Sequence, residues 1–133
     1  MKKLVAAGTG YLEISNLVEE MHNSLDKYEL IGYLDDNPEN LKRNLDGLEI
    51  LGGFEWLTRN KDIYVINCIF RNCQLRKETT EVLISFGAKF ATIAHKTASF
   101  DSSNIGSGTI IGRNTILEKG SRIGKHSVIL HNS

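Results

Sequence analysis

The chain has no net charge, no long apolar run and almost no cysteine. Its 133 residues include 16 Lys or Arg and 16 Asp or Glu, so no overall field draws it to nucleic acid or to an anionic membrane. No segment approaches the roughly 18 consecutive apolar residues that a membrane span needs. Cys68 and Cys73 have no neighbouring His or Cys ligands, which predicts free thiols and no metal site.

The first seven residues open with two lysines, as a signal peptide does. Their apolar run stops at Gly8, however, and Glu13 follows soon after, so we interpret them as a first strand in a cytoplasmic protein. Hydrophobic residues make up 41% of the chain, which is enough for one ordinary core or for a small domain with a short appendage.

Residues 1 to about 94 alternate short β-like runs with helical runs, which is typical of a parallel sheet with crossover helices. We expect strands at residues 3–7, 30–34, 48–51, 62–68 and 89–94. Helices are expected from the first glycine-rich turn to about Ser24, after Gly52-Gly53, and over residues 74–86. The last helix should end at Gly87, and its expected inner stripe is Leu75, Val82, Leu83 and Phe86.

From Ile105 the sequence repeats every six residues. An aliphatic residue recurs at Ile105, Ile111, Leu117, Ile123 and Ile129, and a small hydroxyl residue stands four positions after each of them. Neither an α-helix nor an alternating strand has this period, whereas a three-sided coil does. The repeat therefore predicts the start of a left-handed parallel β-helix; the alternative is two β-hairpins with glycine turns.

Several motifs together resemble one known family. They are the run from Tyr33 to Asn37 with its Asp35-Asp36 pair, the run from Gly47 to Gly53, the stretch from Ile93 to Ala98, and the hexads. With the glycine-containing turn after the first strand, they are similar to the sugar O- and N-acyltransferase family. This family includes sialic acid O-acetyltransferases and bacterial diaminosugar (bacillosamine-pathway) N-acetyltransferases. The resemblance covers the whole chain.

The resemblance implies a Rossmann-like nucleotide-sugar-binding domain over residues 1–94 and an incomplete left-handed β-helix over residues 95–133. It implies a homotrimer that binds acetyl-CoA between subunits and acetylates an amine or hydroxyl of a sugar, UDP- or CMP-linked, in surface glycan biosynthesis. In such a family a His in an aliphatic-x-His-acid run, supported by its acidic neighbour, acts as general base, and a backbone N–H stabilises the oxyanion.

Gly8-Thr9-Gly10 follows a strand and precedes a helix, so its N–H groups could bind a phosphate. A plain tight turn is the alternative. The family tends to show a fuller glycine run here, and this chain has the bulky Tyr11 at the last glycine position.

Other candidates for the nucleotide-sugar site follow later strands. Asp35 and Asp36 end the second strand, where an acid commonly holds a ribose or a base edge, although they could equally be a solvated turn pair. Asn67 and Arg76 lie near the crevice at the carboxyl ends of the strands, and Arg76 could reach a pyrophosphate. Asn72 is expected to be a helix N-cap.

The catalytic candidate is His131, which stands two residues after Ile129, at the phase of the base implied by the resemblance. By repeat it comes one hexad too early, which would turn it by about 120° on a three-sided prism. We therefore expect the base to lie beyond residue 133 and the chain to be inactive alone. His95 is expected to make a structural hydrogen bond, and His126 is expected to be exposed.

Two other classes of function stay open on the sequence. The chain could be a non-catalytic nucleotide-sugar-binding module, or a structural trimerisation stub without a ligand.

Overall fold

One sheet dominates the computed structural model, which describes residues 2–9, 28–37, 39, 44–45, 47–69, 72–101 and 104–133. The strands of this sheet are β1 (Lys2–Ala7), β2 (Tyr28–Leu34), β3 (Asn44–Leu45), β4 (Leu48–Gly52), β5 (Tyr64–Asn67) and β6 (Lys89–Phe90). They are ordered β3-β4-β2-β1-β5-β6, and all neighbours run parallel except β3 and β4. The predicted α/β class with a parallel sheet is confirmed.

The strand order of the sheet reverses at β1, because later strands are added first on one side of β1 and then on the other. The chain passes from β1 through β2 to β4 on one side, and then crosses to the other side for β5 and β6. At such a reversal, the connections after the two central strands diverge and leave a crevice at the carboxyl ends of the strands. The crevice therefore lies where β1 and β5 end.

Two helices are described. A short 3₁₀ helix spans Phe54–Arg59, and α1 spans Cys73–Ser85. Asn72 caps α1 by accepting a hydrogen bond from the Leu75 N–H at 2.9 Å, as predicted. Gly87 follows the helix with φ of +81°, a backbone conformation that favours glycine. The helix expected up to about Ser24 lies outside the described residues.

The predicted inner stripe of α1 was wrong for two of its members. Leu75 and Val82 are 48% and 39% exposed, whereas the buried residues of the helix are Arg76, Thr79, Thr80 and Leu83. The reason lies in β5, which ends in the fully buried Asn67. A buried amide needs hydrogen-bonding partners, so the facing side of α1 is polar.

Apolar side chains alternate between the two faces of the sheet, as the pleat requires. One face packs under α1 and the 3₁₀ helix, with Leu83, Phe54 and Leu57 covering Val5, Ala7, Leu34 and Val65. The opposite face brings together Leu4, Ala6, Tyr33 and Ile66 with Ile93 and Ile110. The hexads therefore share a core with the sheet.

The C-terminal residues pair in parallel at long and regular intervals. Strands β7 (Ile93–Ala94), β8 (Ile110–Ile111) and β9 (Val128–Ile129) form a second sheet in that order. Ile110 pairs with Val128, and Ile105 pairs with Ile123, in each case 18 positions later. This interval equals three hexads. The parallel pairing differs from the antiparallel pairing that β-hairpins would give.

Turns with positive φ recur every six residues through the same region. They lie at Gly108, Asn114, Gly120, His126 and Asn132. Glycine and asparagine tolerate this backbone conformation best, so four of the five turns have a suitable residue and His126 is the exception. Each hexad thus contains one sharp turn.

Buried hydroxyl groups connect successive layers of the hexads. Thr109 and Thr115 are both fully buried. The Thr109 Oγ1 hydroxyl donates to the Gly124 carbonyl at 3.0 Å, and the Thr115 Oγ1 hydroxyl donates to the Leu130 carbonyl at 3.4 Å. The repeated hydroxyl residues therefore satisfy main-chain groups 15 positions later.

Candidate functional site

The turn after β1 brings two predicted site residues to the carboxyl edge of the sheet. Gly8 has φ of +93°, and its N–H donates to the Leu34 carbonyl at 2.8 Å. The buried Thr9 donates its hydroxyl to Asp35 Oδ2 at 2.9 Å. This bond fixes the turn after β1 against the end of β2. Gly10, the third residue of the predicted phosphate-binding turn, lies outside the described residues.

Asp35 and Asp36 have different environments although they are adjacent. Asp35 is partly buried, and besides accepting from Thr9 it accepts the Asn37 N–H through Oδ1 at 2.9 Å. Asp36 is exposed, and its Oδ1 accepts the Phe54 N–H at 2.7 Å, at the start of the 3₁₀ helix. Asp35 therefore holds the loops together, while the second carboxylate oxygen of Asp36 has no partner recorded among the described residues.

Gly53 permits this contact to Asp36. A Cβ at position 53 would lie 2.7 Å from Asp36 Oδ1 and 2.5 Å from Glu55 Oε2. Any larger residue would therefore push the Asp36 carboxylate away from the Phe54 N–H. Sequence reasoning placed the Gly52-Gly53 pair just before a helix but missed this steric role.

Asn67, at the end of β5, uses both the nitrogen and the oxygen of its side-chain amide in hydrogen bonds within the protein. Its Nδ2 donates to Thr80 Oγ1 at 3.1 Å and to the Arg76 carbonyl at 3.3 Å, and its Oδ1 accepts the Ile69 N–H at 2.9 Å. The side chain is fully buried. Asn67 thus joins the carboxyl end of β5 to α1 through its buried side chain.

Arg76 is also buried, at 8% exposure, and its guanidinium donates to main-chain carbonyls. Nη1 donates to the Asn67 and Ile69 carbonyls at 2.6 and 3.2 Å, Nε to the His126 carbonyl at 2.9 Å, and Nη2 to the Gly108 carbonyl at 3.4 Å. Burial lowers the pKa of Arg76 because it disfavours the charged form. Arg76, which the sequence predicted could reach a pyrophosphate, therefore has most of its N–H donors bonded within the protein.

A cleft of about 540 Å³ lies between α1 and the last hexads. Its walls include Arg76, Lys77, Thr80 and Glu81 from α1, and His126 and Ser127 opposite them. The volume lies within the usual range of small-molecule sites.

The Cys68 thiol, near Arg76, is buried. Burial raises its pKa to about 12, and the charge of Arg76 acts in the opposite direction, so this thiol is inert.

The three described histidines have different environments. His95 is buried, and its Nδ1 accepts the Thr97 N–H at 3.2 Å, which is the structural hydrogen bond expected from the sequence. The expected exposure of His126 was wrong: the ring packs edge-on against Phe90 at 4.5 Å between centroids, and its buried Nδ1 has no hydrogen-bond partner among the described residues. His131 is exposed, and Asn132 follows it where the resemblance implies an acid.

The structure therefore collects most of the predicted nucleotide-sugar residues at one edge. Gly8, Thr9, Asp35 and Asp36 adjoin directly, because Ala7 pairs with Leu34. Asn67 lies on the other side, where Ala7 pairs with it, and Arg76 bonds to its carbonyl. His131 belongs to the last hexad, and no hydrogen bond recorded in the described part of the chain joins its side chain to this edge. No group of three or more His, Cys, Asp or Glu among the described residues could hold a metal ion.

Solved structures with the same fold include acetyltransferases. The acetyltransferase domain of PglB from Neisseria gonorrhoeae FA1090, solved with acetyl coenzyme A, matches 98% of this chain with a TM-score of 0.71 at 21% identity. A variant of perosamine N-acetyltransferase from Caulobacter crescentus, solved with CoA and GDP-perosamine, matches 96% of it with a TM-score of 0.74 at 19% identity. No family model and no curated protein matches the chain.

The chain corresponds to only part of each of these two structures. The chain spans 65% of the PglB acetyltransferase domain and 59% of the perosamine N-acetyltransferase. No helix in the described part of the chain is long and apolar enough to cross a membrane. At these identities the comparisons establish a fold that this chain shares with the two acetyltransferase structures.

Proposed function

We propose that this chain is the nucleotide-sugar-binding part of an acetyl-CoA-dependent sugar N- or O-acetyltransferase that acts in surface glycan biosynthesis. In this proposal, residues 1–94 form a Rossmann-like domain that binds the nucleotide-linked sugar. Residues 95–133 form the first coils of a left-handed parallel β-helix, through which subunits trimerise and hold acetyl-CoA.

The observation that carries the proposal is the arrangement at the carboxyl edge of the sheet. Thr9 bonds Asp35 at 2.9 Å across the ends of β1 and β2, next to the point where the strand order reverses. Nucleotides bind in the crevice at such a point, with phosphates near the first turn and an acid after the second strand contacting the ribose. The exposed Asp36 offers such an acid.

The hexads support the second half of the proposal. Three-hexad pairing intervals and a positive-φ turn in every hexad fit a prism with three sides. The two structural neighbours add the chemistry, since one was solved with acetyl coenzyme A and the other with CoA and GDP-perosamine. A guanine nucleotide accordingly joins UDP and CMP among the nucleotides to test.

The reaction constrains which residues are needed. Transfer forms a bond from the sugar nitrogen or oxygen to the acetyl carbon, breaks the carbon–sulfur bond of the thioester, and requires a base to remove the proton of the acceptor. His131 has the residue type and the hexad phase for this base. Its early hexad and the following Asn132 lead us to expect that another residue is the base.

Calorimetric titration with UDP-, GDP- and CMP-linked amino sugars tests the proposal, followed by an assay for acetyl transfer from acetyl-CoA. Binding heat for at least one nucleotide sugar is the expected result. Absence of binding to all three classes would instead favour the structural stub. Turnover that disappears in the His131→Ala variant would show that His131 is the base, and binding without turnover is the result that we expect for the isolated chain.

A further inference from the structure

Arg76 joins two parts of the molecule that are far apart in sequence. Two of its four hydrogen bonds go to the Asn67 and Ile69 carbonyls, at the carboxyl end of β5. The other two go to Gly108 and His126 in the hexads, 32 and 50 positions away. One side chain thus spans from the edge of the crevice to the hexads.

The two hexad acceptors are equivalent positions of successive layers. Gly108 and His126 both turn with positive φ, of +77° and +58°, and they are 18 residues apart. A Cβ at Gly108 would collide with His126 Nδ1, so the His126 ring lies directly on the Gly108 backbone. The same ring contacts Phe90 in β6. Phe90, the His126 ring and the Gly108 backbone therefore pack in sequence from the sheet to the hexads, and the guanidinium bonds to the carbonyls of the last two residues.

The residue type matters for this arrangement. Guanidinium presents five N–H donors in a rigid planar fork, whereas the lysine ammonium presents three donors from one point. Four carbonyls that approach from two structural units suit the fork. All recorded hydrogen bonds of the Arg76 side chain go to main-chain oxygens, so its position depends on the backbone and not on any carboxylate.

We propose that Arg76 is a positioning residue that fixes the hexads against the carboxyl end of β5. The consequence for catalysis, namely that the acetyl donor held by the hexads meets the sugar at a fixed distance, rests on the proposed function. The positioning itself concerns no ligand and can be tested without one.

Hydrogen exchange of the full chain, followed by mass spectrometry or NMR, tests this role in Arg76→Ala. We expect exchange about tenfold faster for the Ile110, Gly112 and His126 amides, which bond between layers of the hexads. The Gly8 amide, bonded between β1 and β2, should keep its wild-type rate. Arg122→Ala removes an exposed arginine of the hexads and should change neither set.

Chemical rescue separates the donor fork from charge alone. The cleft beside Arg76 gives small cations access to the space left by the side chain, so millimolar guanidinium should slow the hexad amides again in Arg76→Ala, and methylammonium should not. Arg76→Lys, which keeps the charge and much of the packing, should also show fast hexad exchange and serves if the alanine variant does not fold. Wild-type hexad rates in Arg76→Lys, equal acceleration at Gly8, or equal rescue by both cations would overturn the proposal.

Discussion

Asn67 and Arg76 bond each other reciprocally, side chain to main chain in both directions. The Asn67 Nδ2 amide donates to the Arg76 carbonyl at 3.3 Å, and Arg76 Nη1 donates to the Asn67 carbonyl at 2.6 Å. Both residues are buried. Sequence reasoning placed them in the crevice as ligand contacts, and their geometry makes them the joint between β5 and α1.

This joint predicts the cost of losing the Asn67 amide. Asn67→Ala leaves the Ile69 N–H without its acceptor and removes the Nδ2 donor from the Thr80 hydroxyl and the Arg76 carbonyl, and buried polar groups that lose hydrogen bonds cost free energy. We expect the free energy of unfolding to fall by about 3 kcal/mol, as measured by urea denaturation. Gln74→Ala, which removes an exposed amide of α1, should change it by less than about 0.5 kcal/mol. Equal effects of the two substitutions would contradict this reading.

The hexads predict different outcomes for two glycines. A Cβ at Gly106 would lie 2.5 Å from the Lys125 nitrogen and 2.7 Å from its Cα, both main-chain atoms of the adjacent layer. Gly120 has nothing within 4 Å and only its φ of +92° to maintain.

Gly106→Ala should therefore cost about 3 kcal/mol by forcing the layers apart, and Gly120→Ala about 1 kcal/mol for the left-handed backbone. Thermal unfolding of both variants measures the difference. If Gly120→Ala proves as damaging as Gly106→Ala, the close approach of the two layers is not what makes position 106 sensitive.

The packed ring of His126 predicts a dependence of stability on pH. Burial lowers the pKa of His126, and the nearby charges of Arg76 and Lys125 lower it further. In the unfolded chain this imidazole takes up a proton near its ordinary pKa of about 6.5, while in the folded chain it stays neutral to lower pH. Its contribution to stability is therefore fully present above about pH 6.5 and is lost as the pH falls through the lower folded value.

His126→Asn tests this dependence, because asparagine also accepts a positive φ. The melting temperature of the variant should fall less steeply than that of the wild type between about pH 7 and about pH 5. His131→Asn serves as the control for loss of one imidazole from the hexads. A slope unchanged by His126→Asn would show that the His126 ring does not contribute to the acid sensitivity.

Much of the fold was predictable from local patterns. The bounds of α1, its Asn72 cap and its Gly87 stop follow from short-range backbone chemistry, and the apolar run of β5 follows from its burial on both faces. The period of six in the hexads was equally visible, and so was a Gly or Asn three positions after four of the five aliphatics, with His126 as the exception, which sequence reasoning did not use. That second pattern marks the turns with positive φ.

Long-range polar contacts were not predictable in this way. Hydrophobic periodicity predicted an apolar inner face for α1. The buried Asn67 instead requires a polar face of the helix against it, and the sequence of α1 alone does not show this requirement. His126 falls at a variable position of its hexad, and its burial depends on Phe90 from β6 and Gly108 from the preceding layer. The edge residues Thr9, Asp35 and Asp36 were predictable from local patterns because Thr9 follows β1 and both aspartates follow β2.

The central claim is that the carboxyl edge binds a nucleotide-linked sugar, and Asp36→Asn tests it most directly. Asparagine keeps an oxygen to accept the Phe54 N–H, but its Nδ2 amide, a donor, replaces the second carboxylate oxygen that would accept the ribose hydroxyls. The measurement is the dissociation constant for UDP-, GDP- and CMP-linked amino sugars by calorimetry, with Glu49→Gln, at an exposed position of β4, as the control. We predict that Asp36→Asn weakens binding about tenfold or more while Glu49→Gln binds like the wild type. Equal affinity of all three proteins, or no binding by the wild type, would contradict the claim.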